Sequence, residues 1–278
     1  MIIDAHQHFW RYDAQRDTWI TSEMSALRRD YLPSDLQLEA LASGVDATVA
    51  VQASQSEQET LFLLDLAERN RNVAGVVGWV DLCDRHVAER LQYFSQFRKV
   101  RGFRHIVQSE PDDRFLLRDD FCRGINLLRE FNFTYDILIY PKHLEAAIEF
   151  VNRFPEQRFV IDHLAKPPIR TGQLQPWADQ MARIADHGNT WCKLSGLVTE
   201  AEWRRWSSEQ FRPYIEVVLR VFGPERLMFG SDWPVCLLSA TYAQALQVVR
   251  DAIAVLPTKQ QEQILGLNAI AFYGLRDT

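Results

Sequence analysis

Eight short apolar runs recur along the chain at a spacing that few folds accept. They begin at residues 2, 46, 73, 100, 133, 158, 190 and 226, a mean step of 32 residues. Several are rich in β-branched residues, as in DATVAVQ (46–52) and VAGVVGWV (73–80), and read as buried strands. Stretches of helical period lie between them. Pro33-Ser34-Asp35 opens one that Gly44 closes, and Ser56 with Glu59 has capping-box spacing ahead of another. A strand, a crossover helix and the next parallel strand need about 30 residues, which matches the step. No Pro/Gly/Ser-rich linker interrupts the series. The expectation is an α/β chain folded as one (β/α)8 barrel, a TIM barrel, over residues 1–278. An open doubly wound sheet fits less well. Where that fold carries a glycine-rich phosphate loop, this chain has Asp4-Ala5-His6-Gln7-His8.

A barrel of this kind carries its site at the C-terminal strand ends. Polar residues collect there. His6 and His8 are two apart, so they leave the first strand on one side and can present two ring nitrogens to one point. Gln52 ends the second strand, Trp79 and Asp81 the third, Arg104 and His105 the fourth, and Tyr140 the fifth. Asp162-His163 ends the sixth, with Lys166 just after; Lys193 and Ser195 end the seventh, and Ser231-Asp232-Trp233 the eighth. A carboxylate at the barrel mouth, such as Asp232, needs a partner, a metal or a catalytic task.

Each residue also has a plainer reading. Asp81 and Asp162 can cap turns. Lys193 can lie along apolar surface, and His105 can face away from Arg104. His86, His143 and His187 fall in helical or loop stretches and read as surface residues. Trp10, Trp79 and Trp233 are core residues or, with Tyr140, the walls of a pocket for a ring-shaped ligand. The aperiodic stretch from Trp10 to Tyr31 is a long first loop.

Composition removes several partners from consideration. A net charge of −6 leaves no basic footprint, so neither nucleic acid nor an anionic membrane is expected to bind. No apolar run approaches the roughly 18 residues of a membrane span. Asp4 and the two histidines interrupt any signal-peptide core. Cys83, Cys122, Cys192 and Cys236 form no CxxC pair and read as reduced thiols of a cytoplasmic protein.

Four stretches, DAHQHFW (4–10), GFRH (102–105), DHLAKP (162–167) and FGSDWPV (229–235), together resemble the amidohydrolase superfamily. More narrowly they resemble its amidohydrolase-2 group, in the branch of sugar-lactone hydrolases of the L-fuconolactonase and L-rhamnonolactonase kind. The resemblance implies a (β/α)8 barrel and hydrolysis of a cyclic ester, such as an aldonolactone. It matches His6 and His8 to the first-strand HxH, His163 to the sixth-strand histidine and Asp232 to the eighth-strand aspartate. There is one departure. Metal-dependent members add a Lys or His from strand four or five, and strand five here offers only Tyr135, Asp136 and Tyr140. The cofactor expectation is therefore no metal or one divalent ion such as zinc, held by His6, His8 and Asp232.

On this reading water attacks the lactone carbonyl with Asp232 as general base. His163 and Arg104 polarise the carbonyl and hold the oxyanion. Trp10, Gln52, Trp79, His105, Tyr140, Lys166 and Trp233 are the candidates for binding the sugar. No GxSxG elbow is present, which suits an activated ester attacked by water. Two alternatives stand beside this one: a metal-dependent decarboxylase of the same superfamily, and a non-catalytic barrel that binds a sugar acid. The oligomeric state is left open.

Overall fold

The computed structural model describes residues 1–275. Eight parallel strands pair in chain order: β1 (Ile3–Gln7), β2 (Ala47–Val51), β3 (Val73–Gly78), β4 (Val100–His105), β5 (Thr134–Ile137), β6 (Phe159–Ile161), β7 (Thr190–Leu194) and β8 (Leu227–Phe229). The helices α1 (Pro33–Ala42), α2 (Glu57–Arg69), α3 (Val87–Phe94), α4 (Asp119–Leu128), α5 (Leu144–Arg153), α6 (Trp177–Ala185), α7 (Leu197–Glu200), α8 (Ser208–Phe222), α9 (Tyr242–Ile253), α10 (Thr258–Glu262) and α11 (Asn268–Tyr273) follow or separate them. This is the expected (β/α)8 barrel. All eight apolar runs became strands, but the strands stop short of the runs. The stretch 158–164 forms a strand only over Phe159–Ile161, and 226–233 only over Leu227–Phe229. The excess residues bend into the site.

Local sequence accounts for the helices. Ser56 accepts a hydrogen bond from the Glu59 amide and caps α2, and Thr241 does the same for α9 through Gln244. The main core lies between the barrel and its helical shell, with Leu63, Leu91, Phe121, Phe150, Met181 and Val218 all buried. A smaller cluster of strand residues, including Ile3, Val49, Val77, Val160 and Met228, packs with Phe272 and Tyr273 of α11. Among the described residues no helix is long and apolar enough to cross a membrane.

The barrel closes between its first and last strands. Asp232 N donates to His6 O at 2.8 Å, and His8 N donates to Trp233 O at 2.7 Å. One buried carboxylate fixes this seam. Asp4 accepts from Ser231 N at 2.9 Å, Ser231 Oγ at 2.6 Å, Tyr242 Oη at 3.0 Å and His6 N at 3.1 Å. Burial pushes the Asp4 carboxyl up to about 6, and the hydrogen bonds from Ser231, His6 and Tyr242 limit the rise. Truncation to alanine leaves several buried donors without an acceptor, at about 1–3 kcal/mol each. Asp4→Ala is therefore expected to lower the unfolding free energy by about 3 kcal/mol or more, read as a fall in the urea midpoint.

Candidate active site

His6 and His8 emerge from the end of β1 with their Nε2 atoms 3.2 Å apart. Asp232, just beyond β8, brings Oδ1 to 3.4 Å from His8 Nε2 and 3.9 Å from His6 Nε2. His163, just beyond β6, places Nε2 3.9 Å from the same oxygen, and its ring centre lies 4.4 Å from that of His6. All four side chains are buried. Residues more than two hundred positions apart thus face one point at the barrel mouth.

The backbone that aims them is unusual. His163, Leu164, Ala165 and Lys166 have φ of 54°, 54°, 56° and 52°, and Asp232 has 58°. None is glycine. Side chains in this left-handed region clash with the backbone at about 1–2 kcal/mol per residue, and runs of them are rare. The strain sits at the ends of β6 and β8, where it turns His163 and Asp232 into the mouth. Gly196 tolerates it nearby: a Cβ there would stand 2.7 Å from the His163 ring.

Hydrogen bonds set the imidazoles. His8 Nδ1 lies 2.7 Å from Val51 O, so that nitrogen carries the proton and Nε2 keeps a lone pair. His163 Nδ1 is 2.8 Å from Ser195 Oγ. Burial lowers the His163 pKa to about 4, with Asp232 and Asp162 acting against the fall. Burial likewise drives His6 well below the ordinary histidine value. Both rings are neutral near pH 7.

Beneath His6 lies a buried ion network. Lys193 Nζ, from β7, is 2.5 Å from Asp136 Oδ2 on β5, 2.9 Å from Asp162 Oδ1 and 3.1 Å from His6 Nδ1. Arg104 Nη1 is 2.9 Å from Asp162 Oδ2 and 3.3 Å from His6 Nε2, and its other terminal nitrogen donates to Gln52 O. Two cations face two carboxylates, so the group is balanced. Burial opposes ionisation of Asp162, but Lys193, His6 and Arg104 outweigh it and hold this carboxyl well below the usual range. Asp232 differs. Its ion-pair partners among the described residues are three imidazoles and no lysine or arginine.

That charge pattern suits a divalent cation. Four ligands at 2.0–2.1 Å in a tetrahedron stand about 3.3 Å apart, and His6 Nε2, His8 Nε2 and Asp232 Oδ1 are separated by 3.2, 3.4 and 3.9 Å. A second group, His6, Asp162 and His163, is also compact. Its carboxylate is already engaged by Lys193 and Arg104, so it is the poorer candidate.

The remaining sequence candidates divide. Gln52 is buried in the wall and donates to Arg104 O at 3.0 Å. Lys166 and Tyr140 stand at the mouth, with Lys166 Nζ 5.4 Å from the Tyr140 ring centre and 3.8 Å from Glu200. Trp10 lies 6.5 Å from the His8 ring and is anchored by Nε1 to Arg29 O at 2.9 Å. Trp233 is packed on Phe9 and Tyr31. His105 stands apart from the cluster. It stacks on Phe115, lies 2.6 Å from Glu110 and takes a hydrogen bond from Trp79 at 3.4 Å. Three plain readings need correction. His143 is not a surface residue but fully buried, held by the Tyr140 amide at 3.0 Å. Lys193 does not lie along apolar surface; it is the centre of the ion network. Asp162 belongs to that network rather than capping a turn.

A family model described as Amidohydrolase matches residues 3–275. This chain belongs to the amidohydrolase family. It is 40% identical to an L-fucono-1,5-lactonase of Burkholderia multivorans over 98% of this chain and 96% of that protein. An L-fucono-1,5-lactonase of Burkholderia ambifaria is 39% identical over 86% of this chain and 82% of its own length. A crystal structure of an amidohydrolase from Burkholderia multivorans with bound zinc superposes with a TM-score of 0.93, at 39% identity and over 99% of each chain.

Beside the cluster, the loops after β1 and β2 enclose a cavity of about 310 Å3 lined by Trp10, Arg16, Ser56, Glu59 and Phe62. Burial raises the Glu59 carboxyl to about 7, against hydrogen bonds from Ala53 and Ser54 and the charge of Arg16. A carboxyl raised from 4.5 on folding favours the folded state below pH 4.5 and loses that contribution as pH climbs through about 7. The melting temperature of Glu59→Gln, relative to the parent, should accordingly rise between pH 4.5 and 7 and level off above. A pH-independent difference in scanning calorimetry contradicts this.

Proposed function

We propose that this amidohydrolase hydrolyses a sugar lactone, of which L-fucono-1,5-lactone is the first to test, with Asp232 as general base. The observation that carries the reading is the convergence of Asp232, His6, His8 and His163 on one point in a barrel mouth. The two lactonases of similar sequence, matched along most of the chain, supply the substrate class.

The residues divide the work by position. Asp232 stays ionised: burial opposes its charge, but His163, His8 and His6 hold its carboxyl far below the ordinary range. Its carboxylate takes a proton from water as the water oxygen bonds to the lactone carbonyl carbon. Neutral His163 offers Nε2–H to the oxyanion that forms, provided that Nδ1 accepts from Ser195 Oγ. Arg104, below His6, adds positive field from the same side. Collapse of the tetrahedral species breaks the ring C–O bond, and Asp232 returns its proton to the departing ring oxygen. The product is an open hydroxy acid. Lys166 and Tyr140 stand where ring hydroxyls and an apolar sugar face meet the mouth.

We also assign one divalent ion, zinc by preference, to His6 Nε2, His8 Nε2 and Asp232. Bound there it supplies Lewis acidity to a carbonyl oxygen or to water. Asp162 Oδ1, 3.3 Å from His6 Nδ1, favours the tautomer with its proton on Nδ1, so that the Nε2 lone pair faces Arg104 Nη1 and the assigned ion site. A decarboxylase is the weaker reading, because it lacks a full-length relative of similar identity among those named above.

Two measurements test the proposal. Asp232→Asn should lower kcat on L-fucono-1,5-lactone by about 10²-fold or more in a pH-indicator assay while the melting temperature stays near that of the parent. Turnover within a few-fold of the parent removes Asp232 as base. Elemental analysis of the purified protein should find about one zinc per chain, and His8→Ala should lose it. Full activity in metal-free protein after chelation excludes the metal assignment but leaves the lactone reading intact.

A further inference from the structure

The opposite end of the barrel has a charge pattern that hydrolysis at the mouth does not use. A cavity of about 650 Å3 opens there, among the N-terminal ends of β3 to β6, with Tyr273 and Gly274 on its rim. Among the described residues five basic side chains line it, Arg71, Arg98, Lys99, Arg101 and Arg158, and one acid, Glu68. This occurs in a chain whose net charge is −6. Among the described residues, no carboxylate lies within 4.0 Å of Arg71, Arg98, Lys99 or Arg158, whereas most arginines elsewhere have such a partner.

The two deeper cations are held by neutral groups. Lys99 Nζ donates to Ala67 O and Val73 O, both at 2.7 Å. Arg158 donates to Phe272 O at 2.5 Å and to Asn132 Oδ1 at 2.9 Å. Burial lowers both their pKa values from the ordinary lysine and arginine values. Carbonyl oxygens orient these side chains without cancelling their charge. Arg101 is also fixed: a Cβ on Gly75 would stand 2.8 Å from its Cγ, so its stem lies against the backbone of β3. The exposed Arg71 and Arg98 complete the ring.

We propose that this cavity is a second binding site, for a small organic molecule carrying two linked phosphates. The volume suits a metabolite-sized ligand, within the roughly 300–1,000 Å3 of such sites. It does not suit a nucleic acid strand, which the overall negative charge also repels. Four cations with no carboxylate of the described residues within 4.0 Å exceed what one ligand carboxylate balances. Arginine forks pair with phosphate oxygens two at a time, and a diphosphate offers two such faces. The site is independent of the lactone reading, because it shares no residue with the Asp232 cluster.

The probe is inorganic pyrophosphate, titrated calorimetrically into the full chain at low and high salt. Saturable binding of one pyrophosphate per chain is expected, weakened by added salt and at least tenfold tighter than inorganic phosphate. Arg71→Ala/Arg98→Ala should weaken it at least tenfold, with unfolding in the absence of ligand and lactone turnover both unchanged. Asp232→Asn should bind as the parent does. Absence of saturable binding overturns the proposal. So does equal affinity in the double variant and the parent, or loss of binding in Asp232→Asn, either of which places pyrophosphate elsewhere. Equal affinity for phosphate and pyrophosphate overturns the diphosphate assignment.

Discussion

Ring closure is the constraint on which this molecule depends. Eight strands in chain order make a barrel only if the last meets the first. Here a single carboxylate, Asp4, ties β1 to the residues just past β8 through Ser231 and to the helical shell through Tyr242. The same seam sets Asp232 against His6 and His8, since the bonds from Asp232 N to His6 O and from His8 N to Trp233 O belong to it. Fold and site are joined by one set of hydrogen bonds. A change that loosens the closure moves the carboxylate away from the imidazoles.

A second device works from below. Lys193, Asp136, Asp162 and Arg104 are all buried, and such groups are costly unless each charge is matched. They match two against two, and their remaining bonds reach His6. Tyr273 Oη also donates to Asp136 at 2.8 Å. The imidazole that starts the HxH pair is therefore held by Arg104 of β4, Asp162 just past β6 and Lys193 of β7, with Asp136 of β5 holding Lys193. The site has its rigidity from the barrel interior and its direction from the left-handed turns at the ends of β6 and β8.

Much of this was legible in the sequence, and the reasons differ by residue. The 32-residue period gave eight strands and their order, because crossover length is a hard geometric limit. The convergence of His6, His8, His163 and Asp232 followed from strand ends in a closed barrel. Strand ends were overestimated at β6 and β8, since apolar periodicity continues through residues that turn left-handed, and HLAK contains no glycine to warn of it. Lys193 was missed for a related reason. A lysine in a strand says nothing of its partners, which lie 57 and 31 residues away, on β5 and just past β6. His143 shows the reverse: its helical setting suggested surface, but the packing of α5 against the barrel encloses it. The signal that would have found the network is the joint presence of Arg104, Asp136, Asp162 and Lys193 on, or directly after, four successive strands.

The seam has a temporal side. Asp4 and Ser231 are separated by 227 positions. At a synthesis rate of 5–20 residues per second, the second leaves the ribosome roughly 10 to 45 s after the first. Through that interval the nascent chain already carries both histidines but lacks Asp232. The cluster at the mouth is thus incomplete until the last strand has been made, and a prematurely terminated translation product cannot assemble it.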